Sequence, residues 1–245
     1  MNMRRFFSGI SVIGGVLLFA VGVSPKPNDS ANSGVSVSGE TTVVQANSAQ
    51  IERDASKVVV WLVPLSSVRP VVSKEQRHYR LVQHNKRFEP GLLVVPVGSV
   101  VDFPNLDPWF HNVFSLYRGK RFDLGLYQAG SRRSVSFDRP GPSYLFCNIH
   151  PEMTGVVLAV ESDLFGTSDK SGRYSIADVP PGKYLLRVWY ENSTADSLEG
   201  LQRNVTIEPN SRSLPAISIA ANKPRAGHKN KYGQDYDPDT LKTDY

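Results

Sequence analysis

The sequence contains a single cysteine, Cys147, among its 245 residues. A chain with one cysteine cannot form an internal disulfide, so no disulfide framework stabilises this fold. Taken alone, a cysteine of this kind is most simply a small buried hydrophobic side chain. The residues around Cys147 therefore decide whether it has a chemical role.

Catalytic motifs are also missing. The sequence has no His-x-His pair, no Gly-x-Ser-x-Gly elbow and no His-Glu-x-x-His segment. With one cysteine it offers no second sulfur for a dinuclear copper site. From these absences we expect that the chain is not an enzyme.

A strong charge of one sign is absent as well. The 28 Lys and Arg residues nearly balance the 23 Asp and Glu residues, which gives a formal net charge of +5. This excess is too small to indicate a nucleic-acid partner. Basic residues are nevertheless dense in 69–87 and 118–133. They form either a solvated face or a docking patch for an acidic redox partner, because complementary charge speeds association.

The N-terminal residues indicate export. Arg4 and Arg5 precede an apolar run that extends to Val23, with small residues at Ala20 and Gly22, which is typical of a cleavable signal peptide. We expect a signal peptide over 1–23, a polar linker over 24–34, and a protein that resides in the periplasm or is secreted. Contact with the membrane is expected only if the leader stays uncleaved.

No segment shows a sustained helical period. Short apolar and β-branched runs separated by Gly, Pro and Asp instead predict an all-β chain of sandwich or barrel type. The predicted strand segments of the first part lie within 57–65, 88–103, 111–116, 133–137, 144–147 and 154–160. A second series of turns and strands runs from 169 to 219, and 222–245 lack apolar periodicity, which predicts a disordered tail.

The segment FCNIHPEMTG carries the chemistry. Cys147, His150 and Met153 follow one another at intervals of three between two strand-like runs, and FPNLDPWFHNVFS supplies His111. A thiolate and two imidazoles with a weak thioether form the ligand set of a blue-copper site. We therefore predict one copper ion per chain at these four residues.

The Cys-x-x-His-x-x-Met loop resembles that of the cupredoxins, and its short spacing is closest to amicyanin. The resemblance covers 88–160 and implies a Greek-key β-sandwich, with His150 as the ligand nearest to solvent and the electron port. It also implies that the Asn112 side chain ties the ligand loops together and supports the cysteine sulfur, and that Pro151 stiffens the loop. For these two residues a simple turn role stays open. The remaining histidines, His78, His84 and His228, are expected at the surface.

The segment SDKSGRYSIADVPPGKYLLRVWYE resembles the carboxypeptidase regulatory-like, or transthyretin-like, β domain. The whole chain is similar to bacterial exported proteins of the methylamine-utilisation or plastocyanin-like kind, which join such a domain to a cupredoxin. The predicted domains are a cupredoxin over 35–162 and a small regulatory-like β-sandwich over 163–221.

Two functions remain open from the sequence. The first is a one-electron carrier or redox domain that exchanges electrons with a protein partner. The alternative is a copper-binding or interaction module of a cell-envelope assembly without an electron-transfer role. Reversible redox exchange with a partner would distinguish the first from the second.

Overall fold

The fold is that of a computed structural model, which describes residues 34–66, 77–116, 119–221 and 228–236. The predicted signal peptide and all but the last residue of the predicted linker lie outside the described residues. The described part is almost entirely β structure, with one short helix, α1 (Ala195–Glu199). The prediction of an all-β chain is therefore confirmed. Among the described residues no helix is long and apolar enough to cross a membrane.

The described residues contain seventeen strands. They are β1 (Val35–Gln45), β2 (Val59–Pro64), β3 (His78–Arg80), β4 (Val82–His84), β5 (Arg87–Glu89), β6 (Leu92–Pro96), β7 (Ser99–Pro104), β8 (His111–Ser115), β9 (Phe122–Tyr127), β10 (Arg132–Phe137), β11 (Gly141–Phe146), β12 (Thr154–Val160), β13 (Phe165–Thr167), β14 (Arg173–Val179), β15 (Gly182–Trp189), β16 (Arg203–Ile207) and β17 (Ile217–Ala221).

Two sheets face each other in the first sandwich. One has the strand order β6-β12-β11-β8-β9, and the other has the order β10-β7-β3. Side chains from both sheets meet in a single buried cluster, which includes Phe103 from β7, Phe137 from β10 and Leu145 from β11. The side chains of each strand point alternately to its two faces, and one of these faces contributes to this cluster. Cys147 and Met153 belong to the same cluster.

Strand β12 is buried on both faces. Val157 and Ala159 point into the cluster of the first sandwich. Val156, Leu158 and Val160 point the other way, into a second cluster to which β1, β2 and β14 to β17 contribute. An unbroken apolar strand of this kind is expected where both faces of a sheet are covered.

The first two strands belong to the second set of sheets. β1 pairs with β14 antiparallel and with β17 parallel, while β2 pairs antiparallel with β13 and β15. This differs from the sequence prediction, which placed 35–64 in one domain with 88–160. The alternation of apolar residues shows that a segment is a strand but does not specify its neighbour. The limits of the two domains as folding units stay a prediction, as does the regulatory-like identity of 163–221.

Removing the side chain of Leu158 tests whether the first sandwich and the second cluster share a buried surface along β12. Leu158 is 1% exposed, so Leu158→Ala should lower the free energy of unfolding by about 2 to 5 kcal/mol, because it leaves a cavity in the second cluster. Urea denaturation of the metal-free chain measures the change. Leu126 on β9 is 56% exposed, and Leu126→Ala is the control, with an expected change within about 0.5 kcal/mol. Equal effects of the two substitutions would contradict the shared surface.

Candidate metal centre

One tight loop carries three of the four predicted ligands. β11 ends at Phe146 and β12 begins at Thr154, and these two residues are paired across the antiparallel strands. The chain between them must therefore reverse direction within the segment that holds Cys147, His150 and Met153. Backbone hydrogen bonds close this ligand loop from inside: the Cys147 N–H donates to the Met153 carbonyl at 3.3 Å, and the Met153 N–H donates to the His150 carbonyl at 3.1 Å.

The neighbouring strand supplies the fourth predicted ligand. β8 pairs with β11 through Phe114 and Phe146, and His111 is the first residue of β8. This pairing brings His111 beside the ligand loop. The donor atoms of His111, Cys147 and His150 all lie within 4.8 Å of one another. His111 and Cys147 are fully buried, and His150 is half-buried.

The three donor atoms form a triangle of the size that a transition metal requires. Nδ1 of His111 lies 3.1 Å from Nδ1 of His150, and the sulfur of Cys147 lies 3.9 Å from the first nitrogen and 3.6 Å from the second. Metal–nitrogen distances of about 2.0 Å and metal–sulfur distances of about 2.3 Å, with ligands 120° apart, place such atoms roughly 3.5 to 3.8 Å from one another. The residues present therefore fit a metal ion with a trigonal N₂S ligand set.

Asp107 fixes which nitrogen of His111 faces the other donors. Its carboxylate accepts from Nε2 of His111 at 2.8 Å, and it also accepts from the backbone N–H groups of Asn85 at 2.6 Å and Lys86 at 2.9 Å. A carboxylate can only accept, so Nε2 carries the proton and Nδ1 of the neutral ring has its lone pair free for a metal. Partners of this kind orient a ligand and raise its basicity.

Asp107 is not identified by sequence reasoning. It is the last residue of a Phe-Pro-Asn-Leu-Asp segment and lies four residues before His111. The sequence signal for such a residue is a carboxylate placed close to a ligand histidine. Its contact with 85–86, however, depends on how two separate loops meet. The pKa of Asp107 lies below its usual value: burial opposes ionisation, but the N–H of Lys86, the His111 ring and the N–H of Asn85 outweigh burial.

Burial also shifts the titration of the three donors. Burial lowers the pKa of His111 despite the opposing effect of Asp107. Burial and then the nearby His111 ring lower the pKa of His150 to about 4. Burial raises the pKa of the Cys147 thiol. Hydrogen bonds from the backbone N–H groups of Asn112, Ile149 and His150 lower this pKa but do not outweigh burial. Both imidazoles are therefore neutral at neutral pH, which is the form that binds a metal.

The other predicted site residues have mixed outcomes. Met153 is fully buried with Cys147 in the first cluster, and its role as an axial ligand stays a prediction. The Nδ2 of Asn112 donates to Asp123 on β9 at 2.7 Å, and the role of this side chain in tying the ligand loops together stays a prediction. It is the backbone N–H of Asn112 that is directed at the Cys147 sulfur. Pro151 lies in the ligand loop, where its carbonyl accepts a hydrogen bond from Nε2 of His228 at 2.6 Å.

His228 and part of the predicted disordered tail lie against this loop. We call residues 228–236 the C-terminal strap. The ring centroid of His228 is 4.2 Å from that of Phe146, so His228 is not the free surface residue that the sequence indicated. The sequence does not reveal the strap, because its contacts are hydrogen bonds to backbone and side-chain oxygens and one ring contact, which leave no apolar period in the sequence. His78 and His84 are exposed, as expected.

Comparison with known proteins finds similar structures but no matching family model and no matching curated protein. A purple cupredoxin from Nitrosopumilus maritimus is 25% identical over 33% of this chain and 98% of its own, with a TM-score of 0.30. An amicyanin variant in its oxidised state is 22% identical over 34% of this chain and 82% of its own, with a TM-score of 0.32. Because these TM-scores are low, the site's own residues must support any functional conclusion.

A third similar structure corrects one expectation. A copper-containing nitrite reductase from Thermus scotoductus is 21% identical over 50% of this chain and 28% of its own, with a TM-score of 0.33. The expectation that the chain is not an enzyme does not stand, because the similar structures include an enzyme. Whether this chain catalyses a reaction is not established.

Replacing Asp107 tests its role in orienting His111. Asp107→Asn keeps the shape of the side chain but removes the charge that holds the Nε2 proton, so copper affinity should fall about 10- to 100-fold. A competition titration with a chelator of known affinity measures the change. Asp138→Asn is the control, because Asp138 is an exposed carboxylate paired with Lys120 at 2.9 Å. Equal affinities of the two variants would show that Asp107 does not support the site.

Proposed function

We propose that this chain is an exported type 1 copper protein that transfers one electron at a time. The observation that carries the proposal is the convergence of two imidazole nitrogens and one sulfur within 4.8 Å of one another. The buried thioether residue Met153 belongs to the same apolar cluster as Cys147. Soft sulfur together with imidazole selects copper, and a trigonal His₂Cys set with a weak axial methionine is the arrangement of blue-copper electron-transfer sites.

The chain's own residues suit this role. Copper in such a set alternates between Cu(I) and Cu(II), which is a one-electron change. Asp107 orients His111, and the loop hydrogen bonds of Cys147 and Met153 hold the second ligand segment before any metal binds. Because the ligands are already held in place, they need little rearrangement when the charge of the copper ion changes by one.

Burial supports a defined route for the electron. His111 and Cys147 are fully buried, whereas His150 is half-buried and is the most exposed of the three donors. Electrons would therefore pass through the His150 edge. The proposal includes an acidic redox partner, which the basic character of 69–87 and 118–133 would attract. Export through the leader over 1–23, to the periplasm or beyond, is part of the same proposal.

Replacing the cysteine tests the copper site itself. The full chain loaded with Cu(II) should show an intense thiolate-to-copper band in visible absorption, with one copper per chain. Cys147→Ser should lose this band, because a hydroxyl is a much poorer electron donor to Cu(II) than a thiolate. His84→Gln, a change at an exposed imidazole, should leave the band unaltered. A wild-type chain that binds copper without the band, or that retains the band after Cys147→Ser, would refute the type 1 assignment.

Replacing the thioether tests the predicted axial position. Met stabilises Cu(I) relative to an oxygen donor, because soft ligands suit the soft reduced ion. Met153→Gln should therefore lower the reduction potential by about 100 mV or more, which is about 2 kcal/mol for one electron given ~59 mV per tenfold change. Met153→Leu keeps an apolar side chain without a donor atom and should not lower the potential. Cyclic voltammetry at one pH decides the matter, and an unchanged potential in Met153→Gln would mean that Met153 only packs.

A further inference from the structure

The C-terminal strap is a turn built by its own hydrogen bonds. Asn230 accepts at its side-chain oxygen from the backbone N–H groups of Tyr232 at 2.9 Å and Gln234 at 3.0 Å. The Gly233 N–H donates to the Asn230 carbonyl at 2.9 Å, and Gly233 has a φ of +77°, which suits glycine. The turn places the rings of His228 and Tyr236 edge to face, with their centroids 5.3 Å apart.

Three groups of the strap donate hydrogen bonds to the ligand loop. The Tyr236 hydroxyl donates to the carbonyl of Cys147 at 2.8 Å, and the Lys231 N–H donates to the side-chain oxygen of Asn148 at 3.1 Å. Nε2 of His228 donates to the carbonyl of Pro151 at 2.6 Å. A carbonyl oxygen can only accept, so the strap is the donor at both carbonyls. The two carbonyls, of Cys147 and Pro151, lie before and after His150 in the ligand loop.

The strap also reaches the segment that carries His111. The ammonium group of Lys231 lies 2.9 Å from one oxygen of Asp123, and the other oxygen of Asp123 accepts from Asn112 at 2.7 Å. Asn112 is the residue next to His111. The pKa of Asp123 lies below its usual value: burial opposes ionisation, but the N–H of Gly125, Lys231 and Asn112 together outweigh it. The C-terminal strap is thus hydrogen-bonded directly to the ligand loop, and through Asp123 to the segment that carries His111.

We propose that His228 and Tyr236 are positioning residues of the copper site. This proposal rests on the proposed function, because it assigns the strap a role in holding the metal that the loop binds. The bonds within the loop fix its ends at Cys147 and Met153. The strap fixes the carbonyls of Cys147 and Pro151 from outside, and with them the sulfur of Cys147 and the ring of His150. Without the strap, the ligand loop has more conformations available when copper is absent and opens more readily when copper is bound.

The test uses the full chain and three single substitutions. Tyr236→Phe removes only the hydroxyl, and His228→Phe keeps a ring against Phe146 while it removes the N–H donor. Tyr232→Phe is the matched control, because Tyr232 lies on the same strap and is 70% exposed. Each copper-loaded protein is mixed with excess chelator, and the rate of loss of the thiolate-to-copper band is measured. The wavelength of the band is recorded before mixing.

The expected result is copper release at least threefold faster in Tyr236→Phe and His228→Phe than in Tyr232→Phe, with a shifted band. The melting temperature of the metal-free variants should match that of the control, since a positioning role concerns the loop and not the whole fold. Equal release rates and equal bands in all three variants would overturn the proposal while the wild-type band still supports a copper protein. A wild-type chain without the band would overturn the proposed function and this proposal together.

Discussion

The metal centre depends on the antiparallel pairing of β11 with β12 and of β11 with β8. The first pairing forces the chain from Phe146 to Thr154 to reverse within a short loop. The second places His111, at the start of β8, beside that loop. Two segments distant in sequence thereby bring two imidazoles and a thiol to one buried point. The sheet is held in turn by two buried clusters, one on each face of β12.

Burial of polar groups at this point has a cost that the surrounding residues offset. Polar side chains are expensive to bury unless they are hydrogen-bonded. Asp107 is buried but accepts hydrogen bonds from three N–H groups, one of which is Nε2–H of His111. What remains are two Nδ1 atoms 3.1 Å apart with a sulfur beside them. Lone pairs that face one another repel, so a cation between them would stabilise the arrangement. The buried groups that raise the free energy of the metal-free site therefore favour the binding of a metal cation.

Part of this organisation is encoded locally in the sequence. The spacing of Cys147, His150 and Met153 identifies the ligand loop, because a short loop between strands brings such residues together whatever the rest of the fold. Asp107 and the C-terminal strap are different, since their partners lie on other loops and include backbone groups that have no sequence signature. The pairing of β1 with β14 and β17, and of β2 with β13 and β15, likewise depends on residues distant in sequence. Apolar alternation identifies a strand, but the choice of neighbour is a property of the whole chain.

The central claim is that His111, His150 and Cys147 together bind one copper ion. X-ray absorption at the copper edge of the loaded full chain measures the bound atoms most directly. We expect two imidazole nitrogens and one short copper–sulfur contact, and the loss of that sulfur contact in Cys147→Ser. A spectrum from the wild-type chain that contains only nitrogen and oxygen donors would contradict the claim.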